Sequence, residues 1–345
     1  MSQVLSLPTK YAILRGAGQH DNIIFDILHP NNRDNCFQPY WLLKNEMLEY
    51  GVLLCTADTL ANNKASFAIH MDVQPVIDDV PCYLFLWETP QVFPPNGAIF
   101  NLKRYRKVFT WNDDLVDGKQ FIKINFPNPL QVPVVDGFAE RNQFCCLIAG
   151  NKTLSINDTR NLYLERLKAI RWFEHHAPND FYLYGVDWDI PVVVSGKLGK
   201  IQRRLMRALK KIIQFRPFPS YRGRVGHKSE VLQRTRFSIC YENVSDLPGY
   251  ITEKIFDSFF SGCVPVYWGA SNINNYIPAD CFIDRREFSD TADVYQYLKA
   301  MDEDIFRGYQ QRIATFLSSG GARPYSSEAF AETVVQAIVQ DLGLS

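Results

Sequence analysis

Two basic residues, Arg160 and Lys254, stand where a cation is electrostatically misplaced. Lys254 follows Thr252 and Glu253 in YITEKIFDSFFSG, where Thr252 fits an N-cap, Ile255, Phe256, Phe259 and Phe260 form an apolar stripe, and Gly262 fits a C-terminal stop. A cation in the first turn opposes the helix dipole, at a cost of about 0.3 to 1 kcal/mol, unless an anion lies between them. Arg160 in NDTRNLYLERL repeats the arrangement behind a cap at Asn157 or Asp158. Two such cations at two helix starts predict a shared anion such as a diphosphate. The plain alternative is that each points to solvent or pairs with a neighbour such as Glu253.

The first half offers a carboxylate. CYLFLWETP ends an apolar run with Trp87, Glu88, Thr89 and Pro90, and an acid just beyond a buried strand can serve as a general base, or simply pair with a surface cation. Asp187-Trp188-Asp189, after FYLYGV, has the form of a turn that holds a divalent cation, although clustered carboxylates are also ordinary turn chemistry. Asp113 with Asp114 is a weaker version of the same pattern. The histidines form no HExxH pattern; only His175 and His176 adjoin, at a helix end. Eight cysteines without a CxxC spacing read as buried thiols in a reducing compartment.

These groups need a scaffold, and the strand pattern supplies one. Short apolar runs recur at YAILRG, NIIFDIL, GVLLCT, SFAIH, CYLFLWE, KVFTW and FIKINF, then at QFCCLIAG, FYLYGV, FSICYEN and CVPVYWG, separated by helical patterns. That alternation predicts an α/β architecture with mainly parallel sheets covered on both faces. PNPLQVP, from Pro127 to Pro133, reads as a connector, with a fresh unit beginning at Gln143. Two α/β domains facing each other across a cleft are expected. Between the strand Phe237 to Tyr241 and the helix starting near Thr252 lies a polar loop, beyond the carboxyl end of a strand, where open α/β sheets bind phosphates.

At 345 residues the chain can bury two cores without disulfide or metal staples. Its 37 basic and 37 acidic residues cancel, so no global charge draws it to nucleic acid and any anion site is local. No run approaches the ~20 apolar residues of a membrane span, and the start lacks the features of a secretory signal, so a cytoplasmic protein is expected. One segment is locally extreme. From Lys197 to Arg216, KLGKIQRRLMRALKKIIQFR carries no acid, and Leu198, Ile201, Leu205, Leu209 and Ile212 recur at helical spacing. It fits an interfacial helix on anionic lipid, or a helix packed on its own domain with a solvated basic face.

The block from Phe237 to Ile283 resembles the signature of the α1,3-fucosyltransferase family. FSICYEN, YITEKI, VPVYWG and CFI stand in the family's order with compatible gaps, IAGNKTLSINDTRNLYLERL looks like its small-residue-Asn and Arg motif, and WETP looks like its ESP element. The resemblance implies a bacterial type with a GT-B fold of two Rossmann-like domains: an acceptor-binding domain over 1–135 and a GDP-sugar domain over 140–345. It implies that Arg160 and Lys254 contact a diphosphate, Tyr250 and Glu253 contact ribose or fucose, and Asn243 shapes the loop. Helix amides near Thr252 would add to the anion site, and Glu88 would be the base. The implied reaction is an inverting transfer of fucose from GDP-fucose to a glycan hydroxyl, in surface polysaccharide, lipopolysaccharide or protein glycosylation. It needs no cofactor or metal, a divalent cation being at most stimulatory. Tyr241 for Phe, Thr89 for Ser, and Ala270-Ser271 for Ser-Pro depart from the family pattern. The alternatives are a transferase for another GDP-deoxysugar and a catalytically silent sugar-nucleotide-binding protein on the same fold. A lipid-linked acceptor and peripheral contact with the inner membrane face complete the expectation.

Overall fold

The computed structural model describes residues 9–16, 18–60, 64–154, 156–192, 197–210 and 216–344, apart from the side chains of 197, 198, 209 and 210. The chain divides into two units, Met1–Leu130 with Arg323–Ser345, and Gln131–Ala322.

The first unit is built on a six-stranded sheet. In chain order it holds β1 (Lys10–Arg15), α1 (Gln38–Glu49), β2 (Val52–Thr56), β3 (Ala65–Met71), β4 (Cys82–Leu86), α2 (Ile99–Leu102), β5 (Lys107–Thr110) and β6 (Phe121–Lys123). The strands are ordered β2-β1-β3-β4-β5-β6, every pairing parallel. Successive residues alternate between two cores: Phe67, Ile69 and Phe85 pack with Leu43 and Met47 of α1, while Ala68, Leu84 and Leu86 pack with Leu102, Tyr105 and Val108. Both faces are covered, which is why these strands read as continuous apolar runs.

The second unit holds β7 (Gln143–Ile148), α3 (Leu162–His176), β8 (Phe181–Tyr184), α4 (Lys197–Lys210), α5 (Ser229–Leu232), β9 (Thr235–Tyr241), α6 (Glu253–Phe260), β10 (Val264–Trp268), β11 (Ile283–Asp284), α7 (Thr291–Ala300) and α8 (Glu303–Ser318). Its sheet runs β11-β10-β9-β7-β8, again all parallel. The crossover order puts the β7 and β9 ends side by side in the middle of the sheet, which positions the loops that follow them.

Two expectations differ from the structure. NIIFDIL forms a single tight turn at Ile23–Phe25, not a strand, because Asp21 and Asn22 both adopt left-handed backbone angles (φ 55 and 56) and fold the chain before the apolar run can extend. The C-terminal helix α9 (Ser327–Leu342) belongs to the first unit, whereas boundaries of 1–135 and 140–345 assign it to the second. Phe330, Val334, Val335 and Ile338 complete the first core beside α1, and Asp341 accepts hydrogen bonds from Tyr83 and Arg106. Its periodicity identifies an apolar face but not the sheet that receives it.

The α1 and α9 helices crowd carboxylates. Burial, then Glu332, Glu49 and Glu328, push the half-buried Glu46 up to about 7 from 4.5. A carboxyl raised on folding stabilises the protein in full below its unfolded value, and that stability is lost as pH rises through 4.5 to about 7. Glu46→Gln is expected to remove this loss, gaining about 1 kcal/mol over wild type at pH 8 once solvent screening is allowed for. Thermal unfolding of both proteins across that window checks it.

Candidate active site

Strand β9 delivers Glu242 to the carboxyl edge of the second sheet, fully buried. Such a carboxylate survives burial only if cations or donors surround it. Its Oε1 accepts from the Thr252 backbone N–H at 2.8 Å and the Thr252 hydroxyl at 3.0 Å, and its Oε2 accepts from Lys254 Nζ at 3.0 Å. Lys254 sits in the first turn of α6 as expected, and the anion that compensates it is supplied by this chain. Thr252 holds the N-cap position, yet its hydroxyl serves Glu242 rather than the helix amides, leaving those donors at the helix start. Gly269 closes the cluster: a Cβ there would lie 2.3 Å from the Tyr267 hydroxyl and 2.5 Å from Glu242 Cγ.

Lys254 Nζ also donates to Thr252 Oγ1 at 2.8 Å. An ammonium has three protons, so Glu242 and Thr252 leave one over; Glu253 Oε1 lies 3.8 Å from Nζ, beyond hydrogen-bond reach, and the side chain is 22% exposed. Burial pulls its pKa down, and Glu242 and Glu253 more than offset that, so it stays charged. Burial alone would raise Glu253; Lys254 and Lys228 instead hold its carboxyl well below the usual range.

Arg160 differs from expectation. Helix α3 is capped by Asn161, whose side chain accepts from Tyr163 N–H, so Arg160 precedes the cap and is not in the first turn. Its guanidinium makes a fork with Asp158, at 3.0 Å from Nε and 2.8 Å from Nη2. Its backbone carbonyl accepts from Ser245 N–H, and Leu162 N–H donates to the Asn243 carbonyl, so Arg160 adjoins the loop that runs from Asn243 to Thr252. Asn243, Tyr250, Thr252, Glu253 and Lys254 thus form one cluster with Arg160 beside it. Tyr250 is buried, its hydroxyl accepting from Asn243 Nδ2 at 3.3 Å, which sets the ring against the loop rather than at the surface.

Sequence reasoning missed two residues here. Glu242 stands within FSICYEN, where nothing in the sequence marked it as the partner of Lys254. Arg166 occupies a buried stripe position of α3, with Leu162, Ala169, Ile170 and Phe173, and donates to the Tyr241 carbonyl and to Asn243 Oδ1. A cation inside an apolar stripe was its signal.

In the first unit, Glu88 follows β4 at the carboxyl edge of its sheet and is half-buried. Its backbone is pinned at both ends: the N–H donates to Asp72 Oδ1 at 3.0 Å, and the carbonyl accepts from Asn96 Nδ2 at 2.8 Å. The same Asn96 amide donates to Asp72 Oδ1, which also takes the Trp87 N–H. Asn96 is buried and Asp72 is left-handed (φ 58), a conformation tolerated for Asp. Thr89 is buried, so the departure from Ser places its extra methyl inside the protein.

Three acidic clusters have basic partners within the chain. Asp187 pairs with Arg207 at 2.6 Å, with Arg203 at 3.7 Å and Arg224 at 3.8 Å beyond it, so it is a counter-ion to α4. Asp113 pairs with Lys123. His70, Asp78 and Cys82 lie close together, but the imidazole spans Asp78 and Tyr105 while Arg15 forks onto Asp78, so a cation there would face a guanidinium.

Residues 190–311 match the model of the glycosyltransferase family 10 (fucosyltransferase) C-terminal domain. That stretch, about a third of the chain, resembles the family. Among curated relatives, the α-(1,3)-fucosyltransferase FucT of Helicobacter pylori is 33% identical over 75 residues, which are 22% of this chain and 16% of that protein. The mouse 4-galactosyl-N-acetylglucosaminide 3-α-L-fucosyltransferase 9 is 42% identical over 71 residues, 20% of each. The chain thus spans at most a fifth of the length of these relatives. The crystal structure of an α1,3-fucosyltransferase with GDP is similar over 97% of this chain and 92% of its own, with TM-score 0.53 and 14% identity. A glycosyltransferase from Rickettsia africae is similar over 98% and 100%, with TM-score 0.52 and 10% identity. These likenesses show the fold, GT-B, with its two parallel-sheet α/β domains.

Proposed function

We propose that this protein is an inverting fucosyltransferase of family 10 that moves fucose from GDP-fucose to a hydroxyl of a glycan acceptor in bacterial surface-glycan synthesis. The observation that carries the reading is Lys254, held in the first turn of α6 at the carboxyl edge of a parallel sheet with one ammonium proton free of Glu242 and Thr252. A diphosphate there would meet that proton, the helix amides and, from the adjoining loop, Arg160.

The reaction is a single displacement at the anomeric carbon through an oxocarbenium-like transition state. The acceptor oxygen bonds to carbon as the bond to GDP breaks, and its proton passes to Glu88. Negative charge grows on the departing diphosphate, where Lys254, Arg160 and the α6 amides stabilise it, so no metal is needed. Thr252 and Glu242 orient Lys254, and Asn243 with Tyr250 holds the loop. The first unit would take the acceptor, lipid-linked on this reading, and the second the donor.

The test is direct. Incubation with GDP-fucose and a 4-galactosyl-N-acetylglucosaminide acceptor, the class named for the mouse relative, should give a fucosylated product in excess EDTA. GDP at a hundred times its dissociation constant should stabilise the protein by about 2.7 kcal/mol. Product formed only with manganese would overturn metal independence. Stabilisation by GDP with no transfer to any acceptor would leave a sugar-nucleotide binder.

A further inference from the structure

We propose that the exposed face of α4 docks the protein on an anionic lipid surface. This rests on the second unit alone and does not depend on fucosyl transfer. The face has an apolar ridge: Ile201 is 68% exposed and Leu205, one turn on, is 56% exposed. Two large aliphatic side chains one turn apart are thus left in water on a helix that also carries a row of cations, whereas α3 and α8 each expose one, Leu164 and Ile305. The opposite side of α4 is committed, with Gly199 buried and Arg203 and Arg207 turned to Asp187, so the ridge is held outward. At 100° per residue, Lys200 and Arg204 lie along one flank of the ridge, and both are exposed. Leu209 and Lys210 continue the two rows in sequence but their side chains, like the whole of Lys211 and Ile212, lie outside the described residues.

Charge segregation identifies the occupant. The chain is neutral overall, yet no Asp or Glu occurs between Ile190 and Glu230. A narrow apolar ridge beside long cationic side chains suits the boundary between headgroups and acyl chains: the ridge enters while Lys and Arg reach up to phosphate. A second copy suits it poorly. A two-fold interface through this face would bring Lys200 and Arg204 close to their own counterparts, with no acid on the helix to separate them.

Flotation with vesicles decides the matter, using the full chain. Binding to vesicles with phosphatidylglycerol as about a third of their lipid should be at least about tenfold stronger than to pure phosphatidylcholine, and should weaken as salt rises. Ile201→Gln with Leu205→Gln, and separately Lys200→Gln with Arg204→Gln, should each reduce binding by about tenfold. All four side chains are exposed or flank an exposed ridge, so GDP affinity and thermal unfolding should stay at wild-type values and report a sound fold. No flotation with anionic vesicles at low salt would overturn the proposal. So would binding indifferent to Ile201→Gln with Leu205→Gln, since charge alone would then explain it. A dimer that dissolves in that double variant, without vesicle binding, would assign the face to a second copy.

Discussion

Glu88→Gln is expected to lower turnover by ~100-fold or more while leaving GDP affinity at the wild-type value. Glutamine keeps the side-chain shape but cannot take the acceptor proton. The loop should stay in place, because its anchors are the Glu88 backbone N–H on Asp72 and the backbone carbonyl on Asn96, neither of which involves the carboxylate. That separation permits a second measurement. Asn96→Ala removes the anchor of the carbonyl and loosens the Asp72 contact, so Glu88 should lose its aim and turnover should fall with GDP affinity unchanged. In a protein already carrying Glu88→Gln, the same substitution should cost little further turnover, because the group it positions is gone. Equal losses in both backgrounds would show that Asn96 matters to the fold rather than to the base. Near wild-type turnover in Glu88→Gln would show that the base lies elsewhere, whatever Asn96 does.

The strands were legible because both faces of each sheet are buried, which leaves CYLFL without a polar interruption and FSICY with only the small, buried Ser238. NIIFDIL has the same composition and is a turn, since two left-handed residues ahead of it redirect the chain and periodicity carries no backbone sign. Lys254 was legible because a cation at a helix start is locally anomalous. Its partner was not, for Glu242 lies twelve residues back and meets it only because β9 and α6 run past each other at the sheet edge. The start of α3 shows a different limit. Asn157, Asp158 and Asn161 are all competent caps within five residues, and only the bonds chosen in the fold, Asn161 to Tyr163 and Asp158 to Arg160, separate them. Arg160 is therefore no dipole anomaly, and its claim to the diphosphate rests on adjoining the loop from Asn243 to Thr252.

Lys254→Ala should show two losses that must be kept apart. GDP affinity should fall by about 1.5 to 3 kcal/mol, the worth of a hydrogen bond to a charged group. Stability should fall by about 3 to 5 kcal/mol as well, because Glu242 would be left fully buried with only Thr252 to satisfy it. A weak GDP signal in that variant alone could mean a damaged fold. Lys254→Met combined with Glu242→Gln removes both charges and keeps similar volumes, and neutralising a buried pair together costs far less than breaking it. Unfolding of the double variant should recover most of the lost stability, while calorimetric titration should still find GDP binding weakened as in Lys254→Ala. Arg160→Ala supplies an independent arm: the Arg160 side chain is 39% exposed, so cutting it back opens Asp158 to water, and its stability cost should be smaller than that of Lys254→Ala while its loss of GDP affinity is similar. Wild-type GDP affinity in both the double variant and Arg160→Ala would remove the diphosphate from this edge of the sheet and leave the cluster of Glu242, Thr252 and Lys254 as a structural ion pair.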